Sequence, residues 1–466
     1  MSVSPMVLLL SSLAPTASQA QDAPRPNVVI IFCDDLGYGD LGCYGNPTIA
    51  TPNLDRMAAE GQRWTQFYVG ASVCTPSRAA LMTGRLPVRS GLCSGERRVL
   101  FPDSAGGIPA SEITLAEALR DLGYDTGMVG KWHLGHLPPY LPTSNGFDSY
   151  FGIPYSNDMD RLPSAPEGRA AITKPRVEYF NVPLLRGTEV VERPADQRTI
   201  TRRYTDEAVR FIDEHKGGNP FFLYLAHSMP HVPLFRSDEY EGVSRRGLYG
   251  DVIEEIDGSV GRVLDAIREG GISEETVVFF TSDNGPWLVF GRQGGTAGLL
   301  RNGKGSTWEG GMREPFLAWW PGTIPAGGMV RDLGATMDLY VTSILLAGGT
   351  PPGDRAIDGV DLRPAFFGAG PSPRDSMLYY RGTELYAARL GPYKAHFITE
   401  EAYGRDTNRE AHDPPVLYHL EHDPSERFDV SAEHPGVIAD IRALVDAHRE
   451  TVEPVPNQLE TRIGGE

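Results

Sequence analysis

Four apolar runs, each broken off by a polar cluster, constrain this chain more than any other feature. Asn27-Val28-Val29-Ile30-Ile31-Phe32-Cys33 leads into Asp34-Asp35, and Asp125-Thr126-Gly127-Met128-Val129-Gly130 leads into Lys131-Trp132-His133. Phe221-Phe222-Leu223-Tyr224-Leu225-Ala226 leads into His227 and His231, and Val277-Val278-Phe279-Phe280-Thr281-Ser282 leads into Asp283-Asn284. Uninterrupted runs of this length suit strands buried on both faces, as in a parallel sheet. Helical patterns lie between them. Residues 52–60 follow Thr51 as a cap, carry Pro52 in the first turn and stop at Gly61. Residues 115–122 sit between Thr114 and Gly123, and 252–268 form an amphipathic stretch ending in Gly270-Gly271. Strand and helix alternate, which predicts an α/β chain: a large mixed, mostly parallel sheet flanked by helices. In such sheets ligands bind beyond the carboxyl ends of the strands, so the four clusters are expected to converge on one site.

A chain of 466 residues suits a large catalytic domain with a smaller one beside it. The reading is a large domain over 24–350, a Gly-, Pro- and Asp-rich linker over 351–375, and a C-terminal α+β subdomain with a short antiparallel sheet over 376–466. There, residues 378–380, 386–388 and 416–418 read as strands and 435–449 as a closing helix. The first twenty residues read as a secretory signal, with the apolar run 7–10 followed by small residues and a cleavage point after Ala20; no Lys or Arg precedes the run. No later run approaches the roughly 18 apolar residues of a membrane span. The formal charge of −18 argues against nucleic acid and anionic membranes as partners, and any anionic substrate needs a local cationic pocket. The cysteines at 33, 43, 74 and 93 have neither zinc-site nor disulfide-framework spacing. No Asn-x-Ser/Thr glycosylation site exists, because Asn46 is followed by Pro47, and this favours a bacterial periplasmic or secreted protein.

The sharpest local signal is Cys74-Thr75-Pro76-Ser77-Arg78-Ala79-Ala80-Leu81-Met82-Thr83-Gly84-Arg85. Pro76 and the residues after it open a helix with Cys74 just ahead of its amino end, where free N–H groups and the dipole favour an anion, and Arg78 lies one turn away. Asp34, Asp35, Asp283 and Asn284 form an oxygen-rich set that suits a hard cation, Ca²⁺ or Mg²⁺, better than zinc. Adjacent carboxylates at a strand end need such a cation, or a proton, to coexist.

The Cys-x-Pro-Ser-Arg string, continued by Ala-Ala-Leu-Met-Thr-Gly-Arg, resembles the signature of the type I sulfatases, and the chain is similar to arylsulfatase A-like enzymes of the alkaline phosphatase-like superfamily. The stretches 34–40, 130–135, 152–156 and 303–311 carry the same resemblance. It implies oxidation of Cys74 to formylglycine by a formylglycine-generating or anaerobic maturation enzyme. The hydrated aldehyde then offers one hydroxyl to attack sulfur, forming a covalent sulfo-enzyme, and a second whose collapse expels sulfate. The resemblance assigns Asp34, Asp35, Asp283, Asn284 and the modified Cys74 to one Ca²⁺. It gives Asp283 the role of base, Lys131 a sulfate oxygen, His133 the proton of the second hydroxyl, His231 and Lys304 the leaving-group oxygen, and Ser156 a substrate contact. Trp132 and Trp308 are expected to pack beneath the site, His227 to support His231, His136 to lie in a neighbouring loop, and Asp40 and Asp55 to be structural.

The substrate so implied is a sulfated small molecule or carbohydrate. The stretch 157–198 lacks the cysteines found there in animal arylsulfatase A, which argues against its sulfolipid specificity and oligomerisation. Two rivals are a phosphonate monoester or phosphodiester hydrolase of the same superfamily, and a non-catalytic anion- or carbohydrate-binding protein. The first fits 303–311 less well, and the second is at odds with a complete set of ligand, nucleophile and proton-transfer positions.

Overall fold

A computed structural model describes residues 25–403 and 408–464; the expected signal sequence lies outside the described residues. The strands, in chain order, are β1 Asn27–Cys33, β2 Gln62–Tyr68, β3 Asp125–Gly130, β4 Ser149–Gly152, β5 Leu184–Arg186, β6 Glu189–Glu192 and β7 Phe221–Ala226. They continue with β8 Thr276–Ser282, β9 Arg313–Trp319, β10 Gly328–Ala335, β11 Ser376–Arg381, β12 Glu384–Leu390, β13 Tyr393–Thr399 and β14 Glu410–His419. The first ten make one sheet in the order β10-β2-β9-β8-β1-β7-β3-β4-β5-β6. Its centre, β8-β1-β7-β3, holds the four apolar runs and is parallel throughout. Antiparallel pairing enters through β9 on one side and β5 on the other.

Burial on both faces explains the continuous apolar runs. Val29, Ile31, Leu223, Leu225, Val278 and Phe280 face one core, under the helices Ile200–His215 and Leu248–Glu269. Val28, Ile30, Phe32, Phe222, Tyr224, Val277 and Phe279 face the other, under Leu115–Asp121, Cys74–Thr83 and Thr336–Leu346. The predicted helix at 52–60 is found as Pro52–Glu60, and the one at 115–122 starts on a capping box between Thr114 and Glu117. The helix predicted from 252 begins a turn earlier, at Leu248. Residues 351–375 do more than cross a surface: Leu362 and Phe366 are buried, and Phe366 stacks on Phe279 and Phe316.

The four-stranded antiparallel sheet β11-β12-β13-β14, with the helix Pro435–Glu450 against it, packs on the large sheet. A buried ionic knot fastens the two. Lys394 of β13 donates to the Thr307 carbonyl at 2.7 Å and to Glu309 Oε1 at 2.9 Å, and lies 3.0 Å from Glu426 Oε1. Glu426 also accepts from the Glu309 N–H at 2.7 Å and pairs with His396. The knot therefore grips the segment just after Lys304. Removing its central cation would strand two buried carboxylates, so Lys394→Met should destabilise the protein by roughly 3–5 kcal/mol, read as a lowered urea midpoint.

Candidate active site

Strand register brings the clusters together. Cys33 is level with Ser282, and Phe32 and Gly130 are both level with Ala226. The ladder runs one residue further: Asp283 N donates to Cys33 O at 3.0 Å, His227 N to Phe32 O at 2.8 Å and Lys131 N to Ala226 O at 2.7 Å. Side chains therefore leave neighbouring strand ends at one level. Asp35 (φ 66°) and His133 (φ 62°) then turn through the left-handed region, which Asp and His tolerate better than most residues.

The helix Cys74–Thr83 meets this edge with its amino end. All ten of its residues are buried, Pro76 sits in its first turn, and Gly84 (φ 68°) closes it by donating to the Ala80 carbonyl. The Cys74 thiol donates to Asp34 Oδ1 at 3.4 Å and receives Lys304 Nζ at 3.5 Å. Arg78 donates from Nε and Nη2 to Asp283 Oδ2 at 3.1 and 2.8 Å, and from Nη1 to the Lys131 carbonyl at 2.9 Å. Lys131 Nζ donates to Asp34 Oδ2 and, at 3.2 Å, to Ser156 Oγ. Lys304 Nζ lies 2.7 Å from Asp35 Oδ1, which also accepts from Asn284 Nδ2 at 2.7 Å. The structure thus brings Cys74, Arg78, Asp34, Asp35, Lys131, Ser156, Asp283, Asn284 and Lys304 into one buried cluster, with His133 and His231 beside them.

Both histidines have one ring nitrogen tied down. His133 Nε2–H donates to the Leu100 carbonyl at 2.8 Å, which leaves Nδ1 as a buried lone pair without a partner among the described residues. His231 Nδ1–H donates to Asn157 Oδ1 at 3.0 Å and to the Val232 carbonyl, while Nε2 lies 3.7 Å from Asp35 Oδ2. Burial holds His133 and His231 well below the usual imidazole range, helped by Lys131 at the first and Lys304 at the second, so both are neutral at pH 7.

The charges are tightly interlocked. Burial alone would raise Asp34, but Lys131, His231, Arg78 and Lys304 hold it well below the ordinary carboxylate range. Asp35 moves the other way: burial, with smaller help from repulsion by Asp34 and Asp283, raises it to about 7 against what Lys304 restores. Glu314 of β9 is buried nearby with neither oxygen partnered among the described residues, and burial and repulsion from Asp283 keep it neutral.

Ligand atoms of Asp34, Asp35, Cys74 and His231 lie within 4.8 Å of one another. Asp35 Oδ2 and Asn284 Oδ1 are buried without hydrogen-bond partners among the described residues. Oxygen donors with free lone pairs, including a carboxylate that burial disfavours, fit a hard divalent cation. Asp283 is already engaged by Arg78 through Oδ2 and by the Asp35 N–H through Oδ1. The group also includes His231, which sequence reading assigns to the leaving group.

Several supporting residues carried no sequence signal. Asn157 orients His231 and is itself held by Gln197 at 3.0 Å and by the Pro233 carbonyl at 3.1 Å. Trp287 lies under Lys304 Nζ, 4.6 Å from its ring centre, and 5.5 Å from the His231 ring. Asp158 is half-buried near Lys304 and Lys131, and its desolvation raises the carboxyl. Among the residues expected to be structural, Trp132 and Trp308 are buried, with Trp132 donating to the Tyr140 carbonyl. Asp40 accepts from the Gly37 N–H and the Tyr249 hydroxyl, and Asp55 from the Cys43 N–H. His227 meets Ser259 Oγ at 3.3 Å, and His136 packs edge-on against Tyr155.

Comparison with known proteins bears on this arrangement. The sulfatase family model matches residues 26–349, and that for the C-terminal region of aryl-sulfatase matches 372–463. The chain is 42% identical to the N-acetylgalactosamine-6-sulfatase of Canis lupus familiaris, over 97% of this chain and 91% of that protein. It is 44% identical to arylsulfatase A of Homo sapiens, over 91% of this chain and 87% of that protein. A solved sulfatase structure from Pseudoalteromonas sp. superposes with a TM-score of 0.84 at 31% identity, covering 94% of this chain and 93% of that one. With strand-end carboxylates, a Cys-led helix and cationic side chains gathered at one edge, and with this similarity along nearly its whole length, the chain belongs to the sulfatase family, as an arylsulfatase A-like sulfuric ester hydrolase.

Proposed function

We propose that the protein hydrolyses sulfate monoesters of a carbohydrate or small aryl alcohol, with position 74 as the nucleophile once its cysteine has become formylglycine. One hydroxyl of the hydrated aldehyde attacks sulfur and the bond from sulfur to the alcohol oxygen breaks, freeing the alcohol; the second hydroxyl then collapses to the carbonyl, breaking the C–O bond so that inorganic sulfate leaves and the aldehyde is restored. The observation that carries this reading is the placement of Cys74. Burial raises its thiol well above the ordinary range and Asp34 adds to the effect, so an unmodified Cys74 is protonated, and a poor nucleophile, at pH 7. A helix amino end and three cations face a position whose native side chain does not attack. Conversion to formylglycine removes that contradiction.

The remaining roles follow from geometry. Arg78 fixes Asp283, which serves as base for the attacking hydroxyl. Lys131, bridging Asp34 and Ser156, is set to receive sulfate oxygens. Neutral His133, with Nδ1 as its free lone pair, accepts the proton that must leave for sulfate to be expelled. On the leaving-group side, Lys304 is held charged by Asp35 despite its burial, so it acts as a fixed cation. His231, steered by Asn157, is the proton carrier. Asp34, Asp35, Asp283, Asn284 and the group at position 74 would hold Ca²⁺, with Mg²⁺ a poorer fit. Bound there, the ion supplies Lewis-acid polarisation of the ester oxygen. It would also tip a balanced set of carboxylates and cations to net positive, which suits an anionic substrate in a chain of charge −18.

The sulfated sugar named for one relative supports a carbohydrate sulfate as substrate, and the leader-like first twenty residues support export. Among the described residues no helix is long and apolar enough to cross a membrane.

Protein from its own host should yield a tryptic peptide containing position 74 about 18 Da lighter than the cysteine form. Cys74→Ala should lower hydrolysis of 4-nitrophenyl sulfate by at least about 10³-fold; active protein with an unmodified thiol overturns the mechanism. Chelation should abolish turnover, with Ca²⁺ restoring it better than Mg²⁺. Because the Asp35 carboxyl is raised, protons compete with the ion, so Ca²⁺ affinity measured by calorimetry should be weaker at about pH 5.5 than at about pH 8.

A further inference from the structure

The connection between β13 and β14 reaches towards the rim of the site. Tyr403 packs flat on Gly305, where an added Cβ would fall 2.1 Å from the ring carbon Cδ2. Gly305 N donates to the Ser72 carbonyl at 2.9 Å. Gly305 is the neighbour of Lys304, and Ser72 lies two residues before Cys74, so the Tyr403 ring packs on backbone next in the chain to both reactive positions. Ser72, Val73, Pro76, Cys93, Arg98 and Tyr403 line one narrow cleft there.

Two guanidinium groups meet the Tyr403 ring. Arg98 Cζ lies 3.2 Å from its centre and Arg381 Cζ 4.6 Å. A carbon that close to the centre requires guanidinium and ring to stack face to face, and the N–H edges of Arg98 then point away from the ring as a rigid fork. Arg381 is neutralised by Glu400 at 3.1 Å, and the adjacent Arg97 pairs with Asp103. Exposed Arg98, between them, has no carboxylate within 4.0 Å among the described residues. Its segment is tied to the chemistry, because the Leu100 carbonyl two residues on fixes His133.

We propose that Arg98, held on Tyr403, binds a second anionic group of the substrate, a carboxylate or further sulfate near the ester being cleaved. The preferred substrate is then a multiply charged saccharide. The assignment rests on the sulfatase reading and deepens it. A stacked guanidinium offers paired N–H donors to an oxyanion, and among the described residues no carboxylate within 4.0 Å already occupies them.

The test compares wild type, Arg98→Ala and Arg98→Lys on three substrates: 6-sulfated N-acetylgalactosamine, the same sugar linked to a uronic acid, and the same sugar with a second sulfate. In Arg98→Ala, kcat/KM for a doubly charged substrate relative to the singly charged one should fall by about tenfold or more, mainly through KM. Arg98→Lys should recover part of that ratio. The substrate that loses more identifies the second anion as carboxylate or sulfate. An unchanged ratio, or equal losses on all three, overturns the subsite. Wild type that cleaves 4-nitrophenyl sulfate yet shows no preference for the doubly charged sugars overturns the subsite alone. Formylglycine-bearing wild type inert to every sulfate ester overturns the sulfatase reading, and the subsite falls with it.

Discussion

Three carboxylates and three cations share one water-poor edge of the sheet, and their mutual pairing is the condition on which the rest of the molecule is built. Burying any one of these groups alone would cost several kcal/mol. Each is compensated by a partner from a different part of the chain: Lys131 on Asp34, Lys304 on Asp35 and Arg78 on Asp283. The strands, the Cys-led helix and the segment that carries Lys304 must therefore all be in place for the charges to balance. The same condition shapes the chemistry. Groups locked in opposing pairs keep fixed orientations and need little reorganisation when charge moves, which is the basis of electrostatic preorganisation.

Proton traffic is divided by the same means. Arg78 and Lys304 stay charged because carboxylates face them, while His133 and His231 stay neutral because burial and nearby cations deny them a second proton. The site thus separates fixed positive charge from exchangeable protons, and each histidine is aimed by a neutral hydrogen-bond partner.

Much of this was legible in the sequence, for identifiable reasons. β1, β3, β7 and β8 could be read because both of their faces are buried, so nearly every residue in them is apolar. β2 could not: Gln62, Arg63 and Gln66 lie along it, satisfied by partners from distant segments such as the Phe366 carbonyl and Arg389. The carboxylates and bases were visible because each follows a strand or lies in a family motif. Asn157, Trp287 and Arg98 were not, since each acts through spatial neighbours that the local pattern around it does not record. The Lys394 knot was equally hidden, because nothing in the local pattern around Lys394 or Glu426 records that they meet at Glu309.

The pairing of β1 has a consequence in time. Its neighbours are β7 and β8, so Val28 must wait for Phe222 and Val277 before its backbone is satisfied. No nearby strand can shelter it while the chain is being made, and contacts of such long sequence separation form slowly. The Cys-led helix packs on that same sheet and shares the delay. During synthesis there is therefore an interval in which Cys74 has been made but not yet enclosed, and a macromolecular catalyst can reach it then. Once the sheet and the later helix Thr336–Leu346 have closed over it, the Cys-led helix is fully buried and that interval ends.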